Sequence, residues 1–318
     1  MKFFVRAALA VLCLATPAAA QDYPARPVTI ISPFGAGSGT DLVARIFAER
    51  LSAELGQTFI VDNKPGASGT LGAGLAARAE ADGYTLVVGG TSSHAASPSL
   101  MKQVPYDPVK DFEAIAGLGQ YPYFLLVNTK DGYTDLKGLV DGIRNKPGSV
   151  SFGYGNSLGQ LSGSVLKARE KLDLTIVPYK SSPAAIQDLL GQRIAFMFND
   201  LVAAVPQVKD GSLRILAVTT PERTPLMPEV PTLKEAGFPF FSIAAWSGMF
   251  APKGTPPEIV EKLRQTLIKI THEDGVKKKL ADMGFAVQQE HDQPFVDYVA
   301  ADVKRWAEYT KTAGIEPQ

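Results

Sequence analysis

Short apolar runs alternate with helical patterns along the first part of the chain. The run "VTIIS" (28–32) precedes a segment whose apolar residues recur at helical spacing from Leu42 to Leu55, and Gly56 is predicted to end that helix. The strand "TFIVD", a helix within "GTLGAGLAARAE" and the strand "YTLVVGG" follow. This strand-helix-strand-helix-strand order predicts a parallel sheet with its crossover helices.

A second series of the same kind begins at Phe124. Its predicted strands are "FLLVN", "VSFGYG", "LTIVPY", "IAFMFN" and "LRILAVT", with helices predicted near 135–145, 159–171, 183–192 and 201–208. The series predicts a second parallel α/β unit. Dense prolines in 226–241 predict loops around one short helix. The stretch "WSGMFAPKG" is predicted to be a strand, and helices are predicted at 256–273, 275–283 and 294–313. Two such units predict an α/β protein with two lobes around a cleft.

The N-terminus has the pattern of an export signal. In "MKFFVRAALAVLCLATPAAA", two basic residues precede an apolar stretch and three small residues, so residues 1–20 are predicted to be a signal peptide cut before Gln21. The apolar stretch is shorter than the ~20 residues that span a bilayer. Cys13, the single cysteine, lies within it, so the exported chain is expected to hold no cysteine.

Composition argues against several partners. Lys and Arg number 32, as do Asp and Glu, so there is no net field to attract nucleic acid or an anionic membrane. The three histidines are scattered along the sequence and no cysteine is expected to remain, so we expect neither a metal site nor a cofactor.

The turn "PFGAGSGTD" (33–41) joins the first strand to the first helix. Glycines at a helix N-terminus bring unpaired N–H groups and the positive end of the dipole close to an anion. A dinucleotide phosphate is one such anion, and Gly35 and Gly37 have the required spacing. Thr40, however, stands where the third glycine of that fingerprint belongs, which weighs against a dinucleotide.

A second alternative is an esterase built on "GNSLG" (155–159), which matches G-x-S-x-G with Ser157 as nucleophile. Such an enzyme needs a histidine downstream to accept the serine proton. His272 and His291 are the candidates, and their charged neighbours in "THED" and "EHDQ" are typical of surface positions.

A third alternative is a binding site for a small anion. Serine, threonine and glycine recur at the ends of several predicted strands: Ser38, Gly39 and Thr40; Thr91, Ser92 and Ser93; Tyr154, Gly155, Asn156 and Ser157; Ser181 and Ser182. Caps and turns use these residues without any ligand. Four such turns at equivalent strand ends favour a common site.

Several long stretches resemble the Bug (Bordetella uptake gene) receptors, periplasmic solute-binding proteins of tripartite tricarboxylate transporters. They include "YPARPVTIISPFGAGSGTDLVARIFAERLSAELGQ", "VDNKPGASGTLGA", "ADGYTLVVG", "PYDPVKDFEAIA", "VPYKSSPAAIQDLLGQRIAFMF", "LRILAVTTPERTPLMPEVPTLKEAG" and "WSGMFAPKGTP". Their order and spacing extend the resemblance from Tyr23 to Ile315.

The resemblance implies a two-lobed periplasmic-binding-protein (type II, flytrap) fold with parallel-rich sheets, flanking helices and two crossover strands, near 119–124 and 245–250. The implied lobes are 21–121 with 247–318, and 122–246. It also implies a periplasmic, non-enzymatic and monomeric receptor that hands a small organic carboxylate to membrane permease subunits, or reports it to a sensor kinase of a two-component system.

The binding residues expected from the turns and the resemblance together are Phe34, Ser38, Gly39, Thr40, Asp41, Ser92, Tyr154, Gly155, Asn156, Ser157, Gln160, Tyr179, Ser181 and Asp200. Three of them depart from the usual family pattern: Ser38 and Ser181 replace glycines, and Gln160 stands where a histidine is common. The ligand therefore stays open among dicarboxylates, aromatic acids and acidic amino acids. Asp200, if it faces the cleft, would repel a carboxylate or pair with an ammonium group.

Overall fold

The computed structural model describes residues 23–239, 243–287 and 294–317, so the predicted signal peptide and His291 lie outside the described residues. The described strands, in chain order, are β1 (Val28–Ser32), β2 (Phe59–Asn63), β3 (Thr85–Gly90), β4 (Phe112–Pro122), β5 (Phe124–Asn128), β6 (Ser151–Tyr154), β7 (Thr175–Pro178), β8 (Phe196–Asn199), β9 (Leu213–Val218), β10 (Ala244–Pro252) and β11 (Ala286–Val287). They form two sheets.

Helices flank both sheets. In chain order they are α1 (Gly39–Leu55), α2 (Thr70–Ala77), α3 (Ser97–Leu100), α4 (Leu136–Arg144), α5 (Ser157–Arg169), α6 (Ser182–Leu190), α7 (Val205–Lys209), α8 (Pro257–His272), α9 (Asp274–Ala281) and α10 (Pro294–Ala313), with a π-helix at Thr91–Ala96. Within the described part of the chain, no helix is both long and apolar enough to cross a membrane.

The first sheet has the strand order β11-β4-β10-β3-β1-β2. β1 is parallel to β2 and to β3, which confirms the predicted first unit. α1 begins at Ser38, whose hydroxyl accepts from the Asp41 N–H at 3.3 Å, and ends at Gly56, which adopts a left-handed φ of 69°. Its apolar face is buried against the sheet, with Val43, Phe47 and Leu51 fully buried.

The second sheet has the order β7-β6-β8-β5-β9 and is mixed rather than parallel throughout. β6 is parallel to β7 and β8, but β5 is antiparallel to both β8 and β9. The expected all-parallel second unit is therefore wrong at β5. The reason is topological, because β5 continues from β4 after a single residue and so runs into this sheet in the opposite direction.

Two strands of the first sheet carry the chain toward the second. β4 and β10 pair antiparallel from Ala244 opposite Pro122 to Pro252 opposite Phe112. At the passage between sheets, Tyr123 donates its N–H to Thr219 Oγ1 at 3.2 Å, and Thr219 Oγ1 donates to the Ile243 carbonyl at 2.8 Å. We therefore propose that the lobes meet at these two passages. One lobe would comprise 21–121 and 247–318, and the other 122–246.

Two local expectations are wrong. Residues 226–239 form turns where one short helix was predicted: the Ala236 N–H donates to the Thr232 carbonyl at 2.9 Å in a single helical turn, which ends at Gly237 with its left-handed φ of 89°. The helix predicted at 201–208 is shortened to α7, which starts with Pro206 in its first turn. The π-helix was not predicted at all.

Candidate ligand-binding site

The side chain of Asp41 stabilises the turn between β1 and α1. Its carboxylate accepts from the Gly37 N–H at 2.8 Å and from Asn63 Nδ2 at 2.8 Å, and it pairs with Arg45 at 3.0 Å. Asn63 Nδ2 also donates to the Phe34 carbonyl at 2.9 Å. Asp41 therefore shapes the turn, while Ser38, Gly39 and Thr40 line the space in front of it.

The π-helix after β3 places Thr91, Ser92 and Ser93 beside this turn. Thr91 Oγ1 accepts from the Trp246 N–H at 2.9 Å, which fixes the π-helix to β10. Single turns of π-helix are frequent at functional sites because they displace backbone groups from the regular ladder.

The second sheet contributes a buried polar cluster at the carboxyl ends of β6 and β8. Asn156 caps α5 by accepting from the Gly159 N–H at 2.8 Å. Its Nδ2 lies 3.2 Å from Ser182 Oγ, and Ser182 Oγ donates to Asn199 Oδ1 at 2.6 Å. Gly155 packs beneath this cluster, where a Cβ would stand 2.3 Å from the Ser182 backbone nitrogen. The cluster thus fixes the N-termini of α5 and α6 side by side.

Three pairs of residues bring the two halves of the described chain close together at this site. The Ser157 N–H donates to Ser92 Oγ at 3.1 Å. A Cβ on Gly39 would stand 2.8 Å from Asp200 Oδ1, and one on Gly35 would stand 2.7 Å from Ser181 Oγ. Both glycines are therefore positions where the facing lobe approaches the backbone closely.

Among the cavities lined by described residues, two lie between the two sheets. The inner cavity, of about 20 Å³, has room for about one water molecule and is lined by the α1 turn, the π-helix, Tyr121, Tyr123, Asn156, Ser182, Asp200 and β10. The outer cavity, of about 300 Å³, lies between Ala67, Ser68, Leu100 and Met101 on one side and Tyr154, Ser157, Gln160, Pro178, Tyr179 and Lys180 on the other.

Asp200 is the charged group of the inner cavity. It is 4% exposed, and its Oδ1 accepts from the Val202 N–H at 3.1 Å. Burial disfavours its ionised form and raises its pKa to about 6, although backbone N–H donors act in the opposite direction. Burial likewise raises the pKa of Tyr121 to about 12. No Lys, Arg or His is found among the described residues that line this cavity.

The predicted site residues fall into three sets. Phe34, Ser38, Gly39, Thr40, Ser92, Asn156 and Asp200 line the inner cavity. Tyr154, Ser157, Gln160 and Tyr179 line the outer cavity. Asp41, Gly155 and Ser181 border the site without lining either cavity. The Tyr179 hydroxyl donates to Asp188 Oδ2 at 2.7 Å within its own lobe.

Several lining residues were not among those selected from the sequence. Tyr121, Tyr123, Trp246 and Ser247 come from the crossover strands and the junctions beside them. The pairing of β4 with β10 is long-range, so no local pattern marks Tyr121 and Trp246 as neighbours. Ser182 was recognised in its turn, and its role as a link between Asn156 and Asn199 appears only in the folded chain.

The surroundings of Ser157 do not resemble a hydrolase triad. No histidine lines the outer cavity among the residues described there. His94 is fully buried behind the inner cavity, with Nδ1 3.0 Å from Ser93 Oγ and its ring stacked on Phe250 at 4.1 Å between centroids. Burial lowers the pKa of His94 to about 3, so it is a neutral core histidine near neutral pH.

Two α/β lobes joined by crossover strands, with helix N-termini facing each other across a cleft, define a periplasmic-binding-protein fold. Residues 43–315 match the tripartite tricarboxylate transporter family receptor, and the chain belongs to this family. Its members are substrate-binding receptors, so the esterase alternative is wrong.

Individual relatives agree with this assignment. The chain is 33% identical to the protein BugT of Bordetella pertussis over 305 residues, which cover 95% of this chain and 93% of BugT. An R. palustris protein solved with adipate is 35% identical, with a TM-score of 0.90 over 93% of this chain and all of that one. The periplasmic binding protein BugD is 33% identical, with a TM-score of 0.89 over 93% of this chain and 100% of BugD.

Proposed function

We propose that the protein is a periplasmic receptor that captures a small organic carboxylate between its two lobes and delivers it to a tripartite tricarboxylate-type transporter. The observation that carries this proposal is the convergence of the N-termini of α1, α5 and α6, from both sheets, on one polar region. The R. palustris relative was solved with adipate, a dicarboxylate, which supports the same ligand chemistry.

The proposed anchor for one carboxylate is the N-terminus of α1. Backbone N–H groups at Gly39 and Thr40 belong to the first turn, where a helix has unpaired donors and partial positive charge, whereas the Ser38 N–H already donates to the Gly35 carbonyl at 3.1 Å. Asp41 accepts from the Gly37 N–H and thereby fixes the turn before any ligand arrives. A carboxylate bound there would gain charge-assisted N–H···O bonds in a site that excludes water.

The rest of the ligand is proposed to extend toward the outer cavity. Gln160 and Lys180 offer donors there, and Tyr154 offers an aromatic face. Phe34, Ser92 and Asn156 would contact the ligand nearer its bound end. Gly155 and Ser181 would act by shaping the α5 and α6 turns.

Binding on this proposal requires the lobes to part and close again. The inner cavity accommodates about one water, far less than a dicarboxylate. The passages at Tyr123 and Ile243, tied together through Thr219, are the natural hinge. Capture of the ligand would then be coupled to lobe closure.

The test is thermal unfolding of the mature chain, 21–318, with a panel of mono-, di- and tricarboxylates, aromatic acids and acidic amino acids. A ligand at 100 times its dissociation constant stabilises by about 2.7 kcal/mol, so a true ligand produces a clear rise in the midpoint. We expect a rise confined to one chemical class of carboxylate. No rise with any member, in protein shown to carry no copurified ligand, would contradict the proposal.

A further inference from the structure

Asp200 faces α1 from across the cleft. Its side chain is 4% exposed, and its carboxylate lies where a Cβ on Gly39 would meet Oδ1 at 2.8 Å and Oδ2 at 3.2 Å. It also lines the inner cavity. A negatively charged side chain therefore lies beside the turn proposed to hold the ligand carboxylate.

The groups around Asp200 supply hydrogen bonds and the partial positive charge of the α1 N-terminus, but no cationic side chain. From its own turn, the Val202 and Ala203 backbone N–H groups donate to it. From β4 and the residue after it, Tyr121 and Tyr123 are the titratable groups that face it, and their charged forms would be negative. The α1 turn and the buried polar cluster contribute only neutral side chains to the described lining, and no cationic residue belongs to it.

A buried carboxylate without a cation is costly unless a partner neutralises it. Burial raises the pKa of Asp200 to about 6, so the group is still largely ionised at pH 7.5. A ligand that brings only carboxylates would add repulsion at this point. A ligand that brings an ammonium group would remove the imbalance and gain a charge-assisted hydrogen bond.

The geometry also places the two binding functions next to each other. The α1 N-terminus suits an anion and Asp200 suits a cation, and they are in contact across the cleft. An α-amino acid carries a carboxylate and an ammonium group on one carbon atom. Its side chain would then point along the cleft toward the outer cavity of about 300 Å³.

We propose that the ligand is an aminocarboxylate whose ammonium group is bound by Asp200, so that the receptor selects amino acids over the corresponding plain carboxylic acids. This inference rests on the carboxylate-receptor function proposed above, because it assigns the charge of a second group on the same ligand.

The experiment is calorimetric titration of the mature chain at pH 7.5 with matched pairs that differ only in the ammonium group: glutamate and glutarate, aspartate and succinate, 2-aminoadipate and adipate, alanine and propionate. The amino member of the recognised pair is expected to bind at least about tenfold more tightly, as expected for a buried charge pair. Asp200→Asn should lower its affinity by at least about tenfold and abolish the preference. Asp274→Asn, which removes an exposed carboxylate, should change neither value.

The outcomes separate the two proposals. Tighter binding of a plain carboxylate than of its amino partner, or an unchanged preference in Asp200→Asn, would overturn the role of Asp200 and leave the carboxylate receptor standing. Binding of no member of any pair, together with no rise for any acid in the thermal panel, would contradict both. If Asp200→Asn fails to fold, the wild-type pairs still test the preference for amino acids, and Asp200→Ser replaces Asp200→Asn as the test of the carboxylate, with an unchanged preference again overturning its role.

Discussion

Asp200 and Gly39 meet across the cleft so closely that a Cβ on Gly39 would stand 2.8 Å from Asp200 Oδ1. One residue belongs to the turn after β8 and the other to the first turn of α1, so their contact joins the two sheets. The fit depends on glycine for its small size rather than for backbone freedom, because Gly39 does not adopt a left-handed φ.

Gly39→Ala is therefore expected to weaken ligand binding by about tenfold or more while the chain still folds. The added methyl group displaces Asp200 and obstructs closure, while its effect on the helix itself is small because Gly39 is the first residue of α1 and not part of its interior. Titration calorimetry and urea unfolding measure the two effects.

Gly275→Ala is the matched control, because Gly275 lies in the first turn of α9 and a Cβ there would meet nothing within 4 Å. Its binding should equal that of wild type. Wild-type affinity in Gly39→Ala would show that the contact with Asp200 has no part in binding.

Asp200 is also expected to make stability depend on pH. Its pKa is raised by burial from 3.8 to about 6, so the folded state holds a proton more tightly than the unfolded state. The contribution of protonated Asp200 to the free energy of unfolding is fully present below pH 3.8 and is lost as the pH rises through about 6. Relative to Asp200→Asn, wild type should lose about 3 kcal/mol of unfolding free energy across this window.

Urea unfolding of both proteins between pH 4 and pH 7 tests this, because processes common to both cancel in the difference. Parallel pH profiles would mean that Asp200 is not desolvated in the folded protein.

His94 should act in the opposite direction. Its buried ring has a pKa lowered to about 3, from 6.5, so the unfolded state takes up a proton before the folded state does. The contribution of neutral His94 to the free energy of unfolding is therefore fully present above pH 6.5 and is lost as the pH falls toward about 3.

His94→Leu, which keeps the site apolar, is expected to flatten the acid limb of the stability profile by several kcal/mol, measured by urea unfolding at pH 4 and pH 7. His272→Gln, which changes an exposed histidine on α8, serves as the control. An acid limb equally steep in His94→Leu would exclude His94 as its cause.

The local part of the site could be predicted from sequence, and the assembled part could not. Ser38 as a helix cap and Asn156 before α5 follow from residue type and position, because capping is a local interaction. The antiparallel direction of β5 and the closeness of Tyr121 to the site depend on the pairing of β4 with β10, which joins residues far apart in sequence. The burial of Asp200 likewise depends on how the two lobes meet.

The hydrogen bond from the Ser157 N–H to Ser92 Oγ is expected to help hold the lobes together. Ser92→Ala removes this acceptor together with the proposed contact of Ser92 with the ligand, so ligand should dissociate at least several times faster. A several-fold change corresponds to the ~1 kcal/mol that one hydrogen bond typically contributes. Stopped-flow fluorescence can follow dissociation, because Trp246 lines the inner cavity.

Ser149→Ala removes an exposed hydroxyl that bonds only its own turn, at the Lys146 carbonyl, and provides the control. Equal dissociation rates in wild type, Ser92→Ala and Ser149→Ala would mean that this contact does not stabilise the closed lobes.

A carboxylate held between the lobes at the N-terminus of α1 is the feature on which the proposed function depends. A crystal structure of the mature chain with the panel member that raises the unfolding midpoint most tests it directly. We predict carboxylate oxygens within hydrogen-bond distance of the first-turn N–H groups of α1, either directly or through one water, with the lobe of 122–246 closed over them. A ligand bound elsewhere, or turned so that no carboxylate approaches α1, would contradict this prediction.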